Sequence, residues 1–248
     1  MKRMVIYEPR GKAREYAPLA LNLYRGCLHG CLYCYAPKAT FTNRTTFHAL
    51  SYIKPLTGIL EDLKQQARQM AGDPGEILLS FTSDPYQLLE QEARITRRGL
   101  EILMDHHLTV TILTKGGCWG LERDKDLLTM NSANTWSVTL TLHHDQALSD
   151  QWEPYAALPQ DRIDSLQLAK LLGLRTWVSF EPVISPKAVY SLLDATHEFV
   201  DLYKVGKLNY HPLAKEIDWR RFKGEMEERL TRLGKPYYLK KDLLEAAR

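Results

Sequence analysis

Three cysteines in one short loop carry the clearest chemical signal in this sequence. Cys27, Cys31 and Cys34 are separated by three and then two residues, and Gly26 and Gly30 allow the loop to curl around one face of a cubane cluster. Thiolate sulfur is the ligand that selects iron-sulfur clusters and zinc over harder cations. Because an electron-transfer cluster of four irons uses four cysteines, three predict one iron open to a non-protein ligand.

Two other uses of the cysteines fit the sequence less well. A zinc site usually pairs two Cys-x-x-Cys knuckles or adds histidines at helical spacing, whereas the remaining cysteine, Cys118, lies far along the chain. His29 could complete a zinc site, but a loop residue beside a cluster is the favoured interpretation. A disulfide framework is typical of short secreted chains, and this chain of 248 residues is not short.

The residues around the cysteines resemble the radical S-adenosylmethionine superfamily and, within it, the spore photoproduct lyase-related branch. The resemblance rests on Asn-Leu-Tyr-Arg-Gly-Cys at 22–27, His-Gly-Cys at 29–31 and Tyr-Cys-Tyr-Ala at 33–36. It implies a 4Fe-4S cluster on Cys27, Cys31 and Cys34, with S-adenosylmethionine on the fourth iron. It also implies reductive cleavage to a 5′-deoxyadenosyl radical, driven by an external one-electron reductant of the flavodoxin or ferredoxin type.

Length and composition predict a single domain over residues 1–248, with a cluster loop at 24–36. No apolar run is long enough to cross a bilayer, and no apolar stretch follows the basic residues at the N-terminus, so we expect no membrane anchor and no signal peptide. Free thiols and an oxygen-sensitive cluster predict the cytoplasm. The net charge of +3 permits a nucleic-acid partner without indicating one.

Short apolar runs alternate with helical stretches along the chain, which predicts a parallel sheet with right-handed crossovers. The runs rich in β-branched, aromatic or leucine residues are 19–24, 76–81, 108–113, 135–142, 175–180 and 200–205. The helical stretches between them include 56–70, 91–106, 161–172 and 186–197. Six such units fit the partial (β/α)6 TIM-like barrel of the resembled superfamily, with a helical extension at about 210–248.

Barrels of this kind place chemistry at the C-terminal ends of their strands, and polar groups follow every predicted strand here. In the resembled branch Thr82, Ser83 and Asp84 stand where other radical enzymes hold the methionine amine; a plain turn before Pro85 is the alternative. Lys115 resembles the family's lysine near the cofactor, where its ammonium would pair with the methionine carboxylate. A solvated loop lysine is the alternative for Lys115.

Two further strands supply cofactor-binding candidates. Ser137 and Thr139 share one face of the fourth strand because side chains alternate, and they are candidates for the ribose or the carboxylate. Periodicity does not say whether that face is the lumen. Glu181 ends an apolar strand, where it would hold ribose hydroxyls or a substrate amine, or pair with Lys204 or Lys207 across the barrel.

The hydrogen-transfer residues are the least certain part of the resemblance. Tyr33 and Tyr35 flank the last cysteine, and the resemblance links them with the cofactor pocket and, for Tyr35, with radical relay; aromatic packing is the alternative. The lyase pattern has a hydrogen-donor cysteine directly before Thr-Ser-Asp, whereas this chain has Phe81, which cannot donate a hydrogen atom. Cys118, just beyond the third strand, is the substitute candidate, although a lone cysteine is more often inert.

The C-terminal third interleaves aromatic and basic residues at 218–223 and 234–241, as a surface that stacks bases would. The same letters describe an amphipathic helix and a final strand closing the barrel, and this interpretation is favoured. The sequence thus predicts a radical enzyme that abstracts hydrogen, with a DNA or RNA base or a nucleotide as candidate substrate. A radical enzyme for a small metabolite or peptide, and a non-catalytic metal- or cluster-containing nucleic-acid-binding module, are the alternatives.

Overall fold

The computed structural model describes residues 4–73, 75–142 and 146–248 as alternating strands and helices. The strands, numbered along the chain, are β1 (Ile6–Tyr7), β2 (Leu19–Leu21), β3 (Tyr24–Arg25), β4 (Lys54–Pro55), β5 (Glu76–Leu79), β6 (Thr109–Thr114), β7 (Thr135–Thr139), β8 (Arg175–Val183), β9 (Leu202–Lys207) and β10 (Tyr237–Leu239). Short 3-10 turns occupy Gly11–Glu15 and Pro212–Lys215.

Helices connect most of these strands. They are α1 (Ala36–Ala39), α2 (Arg44–Phe47), α3 (Ile59–Gln69), α4 (Glu90–Ala93), α5 (Ile95–Asp105), α6 (Cys118–Leu128), α7 (Gln146–Trp152), α8 (Pro159–Leu171), α9 (Pro186–Thr196), α10 (Trp219–Arg232) and α11 (Lys241–Ala246). Within the described parts of the chain, none of them combines the length and apolar character needed to span a bilayer.

The main sheet has the strand order β1-β2-β5-β6-β7-β8-β9-β10. Every neighbouring pair from β2 to β10 is parallel, and β1 joins the edge strand β2 in antiparallel fashion. The strands β3 and β4 form a separate antiparallel ribbon on either side of the cysteine loop. The mixed α/β architecture confirms the predicted partial TIM-like barrel.

The two faces of the sheet have different environments. The outward face packs on the helices through buried side chains such as Trp136, Val138 and Val178. The inward face holds a smaller apolar layer in which Leu113, Ser137, Trp177 and Leu202 are register neighbours on adjacent strands. This layer closes the lumen below the strand ends, so the open space lies at the C-terminal end of the barrel.

The predicted elements match the observed ones except at three places. The run 19–24 ends as a sheet strand at Leu21, because Asn22 turns its side chain to accept from the backbone N–H groups of Phe81 (3.0 Å) and Thr82 (2.9 Å). The helical stretch 91–106 is broken at Arg94, whose φ is +52°. The extension at 210–248 is not purely helical, since β10 adds a parallel strand beside β9.

The α10 helix is amphipathic, as the favoured interpretation of 218–223 held. Asp218 caps it by accepting from the Arg221 N–H at 2.9 Å. Trp219 and Phe222 are buried, and the Phe222 ring stacks on Tyr190 with centroids 5.8 Å apart. The aromatic residues of this helix therefore belong to the core and do not form an exposed base-stacking surface.

We expect Phe222→Ala to lower the free energy of unfolding by about 3–5 kcal/mol, because it leaves a cavity under α10. Phe41→Ala is the matched control, since Phe41 is 99% exposed, and it should change stability by less than about 0.5 kcal/mol. Urea unfolding followed by circular dichroism measures both. Equal effects of the two substitutions would contradict the packing of α10 against the barrel.

Candidate active site

One cavity of about 270 Å³ opens at the C-terminal ends of the strands. Its lining comes from the cysteine loop, from residues at or just after the C-terminal ends of β5, β6, β7, β8 and β9, and from both termini of the barrel. The lining side chains include Lys12, Tyr16, Cys27, His29, Cys31, Tyr33, Cys34, Tyr35, His48, Phe81, Thr82, Ser83, Asp84, Lys115, Thr139, Glu181, Lys207, Asn209, Tyr210 and Lys240. The three predicted ligand cysteines thus face the same space as most of the predicted cofactor-binding residues.

The cysteine loop requires glycine at its first bend. Gly26 has a φ of +75°, and a Cβ there would lie 2.7 Å from both the Ile53 side chain and the Phe47 carbonyl oxygen. Gly30 also has a positive φ, +66°, but its surroundings are less tight. Since side chains disfavour this backbone region, Gly26 fixes the course of the loop into the cavity.

Side chains from neighbouring elements hold the backbone of this loop, which has little secondary structure of its own. The Gln87 side chain accepts from the Leu28 N–H at 2.9 Å, and a His48 ring nitrogen lies 2.7 Å from the Cys27 carbonyl oxygen. Arg44 donates to the carbonyl oxygens of Gly30 (2.9 Å) and Cys31. The loop is therefore prearranged by contacts on both sides of each cysteine.

The thiols are held in an apolar setting. Burial raises the pKa of Cys27 and Cys34, and it raises the pKa of Cys31 to about 12. A cationic centre is what would hold such groups as thiolates. Among the described residues, no three His, Cys, Asp or Glu side chains are arranged to hold a single metal ion. Three soft sulfur donors on one wall of a cavity fit a cluster that leaves one position open.

Asp84 joins three loops beneath the cavity. Its carboxylate accepts from the Tyr86 N–H (2.8 Å), the Thr114 hydroxyl (2.6 Å) and the Lys115 N–H (2.7 Å), and it lies 3.1 Å from His29. Burial alone would raise the pKa of Asp84, but the nearby His29 and these hydrogen bonds lower it to about 2. The Asp84 carboxylate is therefore ionised and already accepts hydrogen bonds from the protein. This agrees with the alternative that the sequence left open, a structural role in the turn before Pro85.

Lys115 extends into the cavity beside the cysteines. Its ammonium lies 5.5 Å from the centroid of the Tyr33 ring. Burial alone would lower the pKa of Lys115, but Cys31 and Glu153 outweigh this effect and raise it. The side chain is therefore a charged donor at neutral pH, positioned next to the cluster loop.

A buried ion pair supports the other side of the cysteine loop. The Arg162 guanidinium lies 2.5 Å from Glu153 and also donates to the Thr139 carbonyl oxygen at 2.9 Å. The Tyr33 hydroxyl donates a hydrogen bond to the same Glu153 carboxylate. Burial would raise the pKa of Glu153, but Arg162 and Lys115 lower it. The Leu32 N–H donates to the Trp152 carbonyl oxygen at 2.8 Å, so this segment is tied to the loop by its backbone too.

Glu181 lines the same cavity as the cysteines. It accepts from the Tyr16 hydroxyl and lies 3.0 Å from the Lys240 ammonium. A Cβ at Gly206 would come within 2.6 Å of Glu181, so the glycine leaves space for the carboxylate. The sequence left pairing with Lys204 or Lys207 as one alternative for Glu181; the lysine that pairs with it is Lys240, and Lys204 donates to the Tyr16 carbonyl oxygen at 2.5 Å.

Some of the other predicted residues line the cavity and some do not. Thr82, Ser83 and Thr139 line it, and Tyr35 lies at its edge, half-exposed, with its hydroxyl bonded to the Phe81 carbonyl oxygen at 2.7 Å. Ser137 does not line the cavity. It faces the lumen, and its hydroxyl donates to the Ile112 carbonyl oxygen.

Cys118 also lies outside the cavity lining. It begins α6, where its N–H donates to Asp161 at 3.1 Å and its thiol to the Asp161 carbonyl oxygen at 3.3 Å. Burial and the neighbouring Asp161 raise the pKa of this thiol to about 12. The thiol is thus engaged within the protein and does not face the space that a substrate would occupy.

Four residues of the site were not found from the sequence. Glu153, Arg162 and Tyr16 belong to no local pattern. The folded chain brings Tyr16 to the cavity lining and places the pair of Glu153 and Arg162 against Tyr33 of the cysteine loop. Lys240 lies in the predicted final strand, but no role was predicted for it; it is 1% exposed and lines the cavity. The alternation Tyr238, Leu239, Lys240 in a final strand is the one signal that could have shown its inward position.

Comparisons with known proteins agree with this fold. No protein-family model matches the chain. An uncharacterized protein of Methanocaldococcus jannaschii is 26% identical over 198 residues, which cover 78% of this chain and 71% of that protein. An uncharacterized protein of Mycobacterium tuberculosis is 28% identical over 170 residues, 66% of this chain, and the match spans about half, 49%, of its own length.

Two groups of solved structures share the architecture. A spore photoproduct lyase variant with bound AdoMet and dinucleoside spore photoproduct has a TM-score of 0.68 at 12% identity, covering 90% of this chain and 76% of that one. SuiB of Streptococcus suis, bound to S-adenosylmethionine, has a TM-score of 0.63 at 15% identity over 92% of this chain and 48% of its own. The resemblance that the cysteine motif carries therefore extends to the fold.

We expect Glu153→Gln to lower the free energy of unfolding by about 3–5 kcal/mol, because it leaves the buried Arg162 charge unpaired. Glu225→Gln removes an exposed helix pair with Arg221 and should have no measurable effect. Since the pKa of Glu153 is lowered by folding, its contribution is complete above roughly pH 4.3 and is lost as the pH falls further. Urea unfolding should show a gap between wild type and Glu153→Gln that narrows on acidification; a constant gap would contradict the ionised pair.

Proposed function

We propose that this protein is a radical S-adenosylmethionine enzyme that abstracts a hydrogen atom from its substrate. The observation that carries the proposal is one cavity lined by all three loop cysteines and by Lys115, in a fold shared with proteins bound to S-adenosylmethionine. A 4Fe-4S cluster with bound S-adenosylmethionine would supply a 5′-deoxyadenosyl radical after one-electron reduction. The protein would supply the binding site, orient the cofactor and exclude water.

In this proposal the cluster is held by Cys27, Cys31 and Cys34. Lys115 pairs with the methionine carboxylate, for which its partly buried and charged ammonium is suited. Thr82 and Ser83 accept hydrogen bonds from the methionine amine. Asp84 has a different part from the one first expected: its oxygens already bind Thr114 and the Lys115 N–H, so it positions this pair from below.

The remaining walls would serve the rest of the cofactor and the substrate. Thr139 and Glu181 face the cavity as hydrogen-bonding groups for ribose hydroxyls. Tyr35, at the edge of the cavity, is the candidate for hydrogen-atom relay. Cys118 is not proposed as the donor, since its thiol is bonded to the Asp161 carbonyl oxygen outside the cavity lining.

The substrate class that we propose is a nucleic-acid base or a nucleotide. Lys12, Lys207 and Lys240 line the cavity. Lys12 is paired with Asp242 and Lys240 with Glu181, so of these three Lys207 is the lysine left without an ion pair among the described residues to attract a phosphate-bearing ligand. A structural neighbour binds a dinucleoside spore photoproduct. Repair by the route of that neighbour is not part of the proposal, because Phe81 has no thiol from which a substrate radical could take a hydrogen atom. We also propose a reducing compartment such as the cytoplasm, since the proposed cluster would be oxygen-sensitive.

Cys31→Ala should abolish both iron retention and S-adenosylmethionine cleavage, because one iron loses its ligand. Cys118→Ala is the matched control and should retain both. We would measure iron, labile sulfide and visible absorbance after anaerobic reconstitution, and then 5′-deoxyadenosine after reduction. Zinc without iron in the wild type, or equal product from both variants, would refute the proposed chemistry.

Lys115→Met should weaken S-adenosylmethionine binding roughly tenfold to a hundredfold, as expected for loss of one charge-assisted hydrogen bond. The iron content should match that of the wild type, since Lys115 contacts the cofactor and not the irons in this proposal. Equilibrium binding to the anaerobically reconstituted protein measures the affinity. Unchanged affinity would remove Lys115 from the cofactor site.

A further inference from the structure

The segment that carries the cysteine loop is free of acidic residues. Between Tyr16 and Leu60 there is no Asp or Glu, although the chain has 30 of them in 248 residues. The same segment contains Arg25, Lys38, Arg44 and Lys54. These four positive charges exceed the net charge of +3 of the whole chain, so the positive charge is concentrated around the cysteines.

Two of these basic residues lie directly opposite each other. Arg25 in β3 and Lys54 in β4 are register partners in the antiparallel ribbon, and both side chains are exposed. Like charges at such positions destabilise a strand pair. The Arg25 guanidinium stacks on the Tyr52 ring at 4.0 Å from its centroid, which holds it in place without neutralising it. An unfavourable pair kept at the surface indicates a use outside the fold itself.

Arg44 connects this surface to the cysteine loop. Its half-exposed guanidinium donates to the carbonyl oxygens of Gly30 and Cys31. Among the residues that the structure describes, no carboxylate forms an ion pair with Arg25, Arg44 or Lys54. We name these three residues the basic patch. None of them belongs to the cavity lining, so the patch lies outside the cavity; Arg25 adjoins the cysteine loop in sequence and Arg44 contacts its backbone.

We propose that the basic patch is the docking surface for an acidic one-electron donor protein of the flavodoxin or ferredoxin type. This inference rests on the proposed function, which requires one electron from outside for each cleavage. The donor loses one electron, the cluster gains it, and no atom is transferred. Because electron transfer weakens steeply with distance, the donor must bind near the cysteines while leaving the cavity to the substrate, and the patch satisfies both conditions.

The surroundings of the patch also suit a protein partner. The same acid-free segment exposes Phe41 (99%) and Leu50 (71%), and exposed apolar side chains with basic neighbours are typical of interaction surfaces. A nucleic-acid backbone is the other anionic ligand of this class. It fits less well, since a base that is to react has to enter the cavity, which the patch does not line.

Lys54→Glu should change flavodoxin binding and thermal stability in opposite directions. It replaces the like-charged pair with an opposite pair across the ribbon, so the apo protein should have a higher Tm than the wild type. The same substitution should weaken binding of an acidic flavodoxin roughly fivefold to tenfold at low ionic strength, with the difference shrinking at high salt. Arg232→Glu, at the exposed end of α10, changes the charge equally and should bind flavodoxin like the wild type.

Reduction of the reconstituted cluster provides the second readout. Flavodoxin hydroquinone should reduce Lys54→Glu more slowly than wild type, whereas sodium dithionite, which needs no docking, should reduce both equally. The docking surface would be overturned if Lys54→Glu bound flavodoxin as tightly as the wild type. It would also be overturned if the substitution abolished binding of single-stranded DNA and left flavodoxin binding intact. If dithionite-reduced wild type forms no 5′-deoxyadenosine, the proposed function fails, and the flavodoxin titration still reports on the patch by itself.

Discussion

The site depends on two buried carboxylates that hold the cysteine loop from opposite sides. Asp84 accepts from Thr114 and from the Lys115 N–H and lies against His29, so it joins the ends of β5 and β6 to the loop. Glu153 is paired with Arg162 and accepts from Tyr33, so it joins the segment before α8 to the same loop. A loop with little secondary structure is thereby held by charged groups that are buried, so water does not compete for their hydrogen bonds.

This arrangement explains why the acids near the cavity are poor candidates for direct ligands. Each oxygen of Asp84 already has a protein donor, and Glu153 lies beneath Tyr33 and Arg162. Lys115 differs, because its backbone is fixed by Asp84 while its ammonium reaches the cavity. Around the cysteine loop the protein thus uses Asp84 and Glu153 for positioning and Lys115 as the cation that faces the cavity, which suits a ligand with a carboxylate.

The sequence allowed the strands and the cysteine loop to be predicted because both leave local signals. Strands such as β6 and β7 are largely buried on both faces and appear as runs rich in β-branched, aromatic or leucine residues, and three cysteines at short spacing need no tertiary information. The Glu153 and Arg162 pair leaves no such signal, since neither residue is near the cysteines in sequence. The role of Lys240 was missed for a related reason: a final strand is predicted at 234–241, but which of its side chains face the barrel follows only from the pairing of β10 with β9.

Phe81 shows how the fold can be shared while the final chemical step is not. Its N–H donates to Asn22, its carbonyl oxygen accepts from Tyr35, and its ring contacts Tyr16 at 5.7 Å between centroids. The first two contacts use only the backbone, so the turn before Thr82 does not depend on which side chain is present. A cysteine or a phenylalanine can therefore occupy this position without moving the cofactor seat. Likeness in fold is accordingly compatible with the proposed radical chemistry, while the side chain at position 81 gives no support for the same final step.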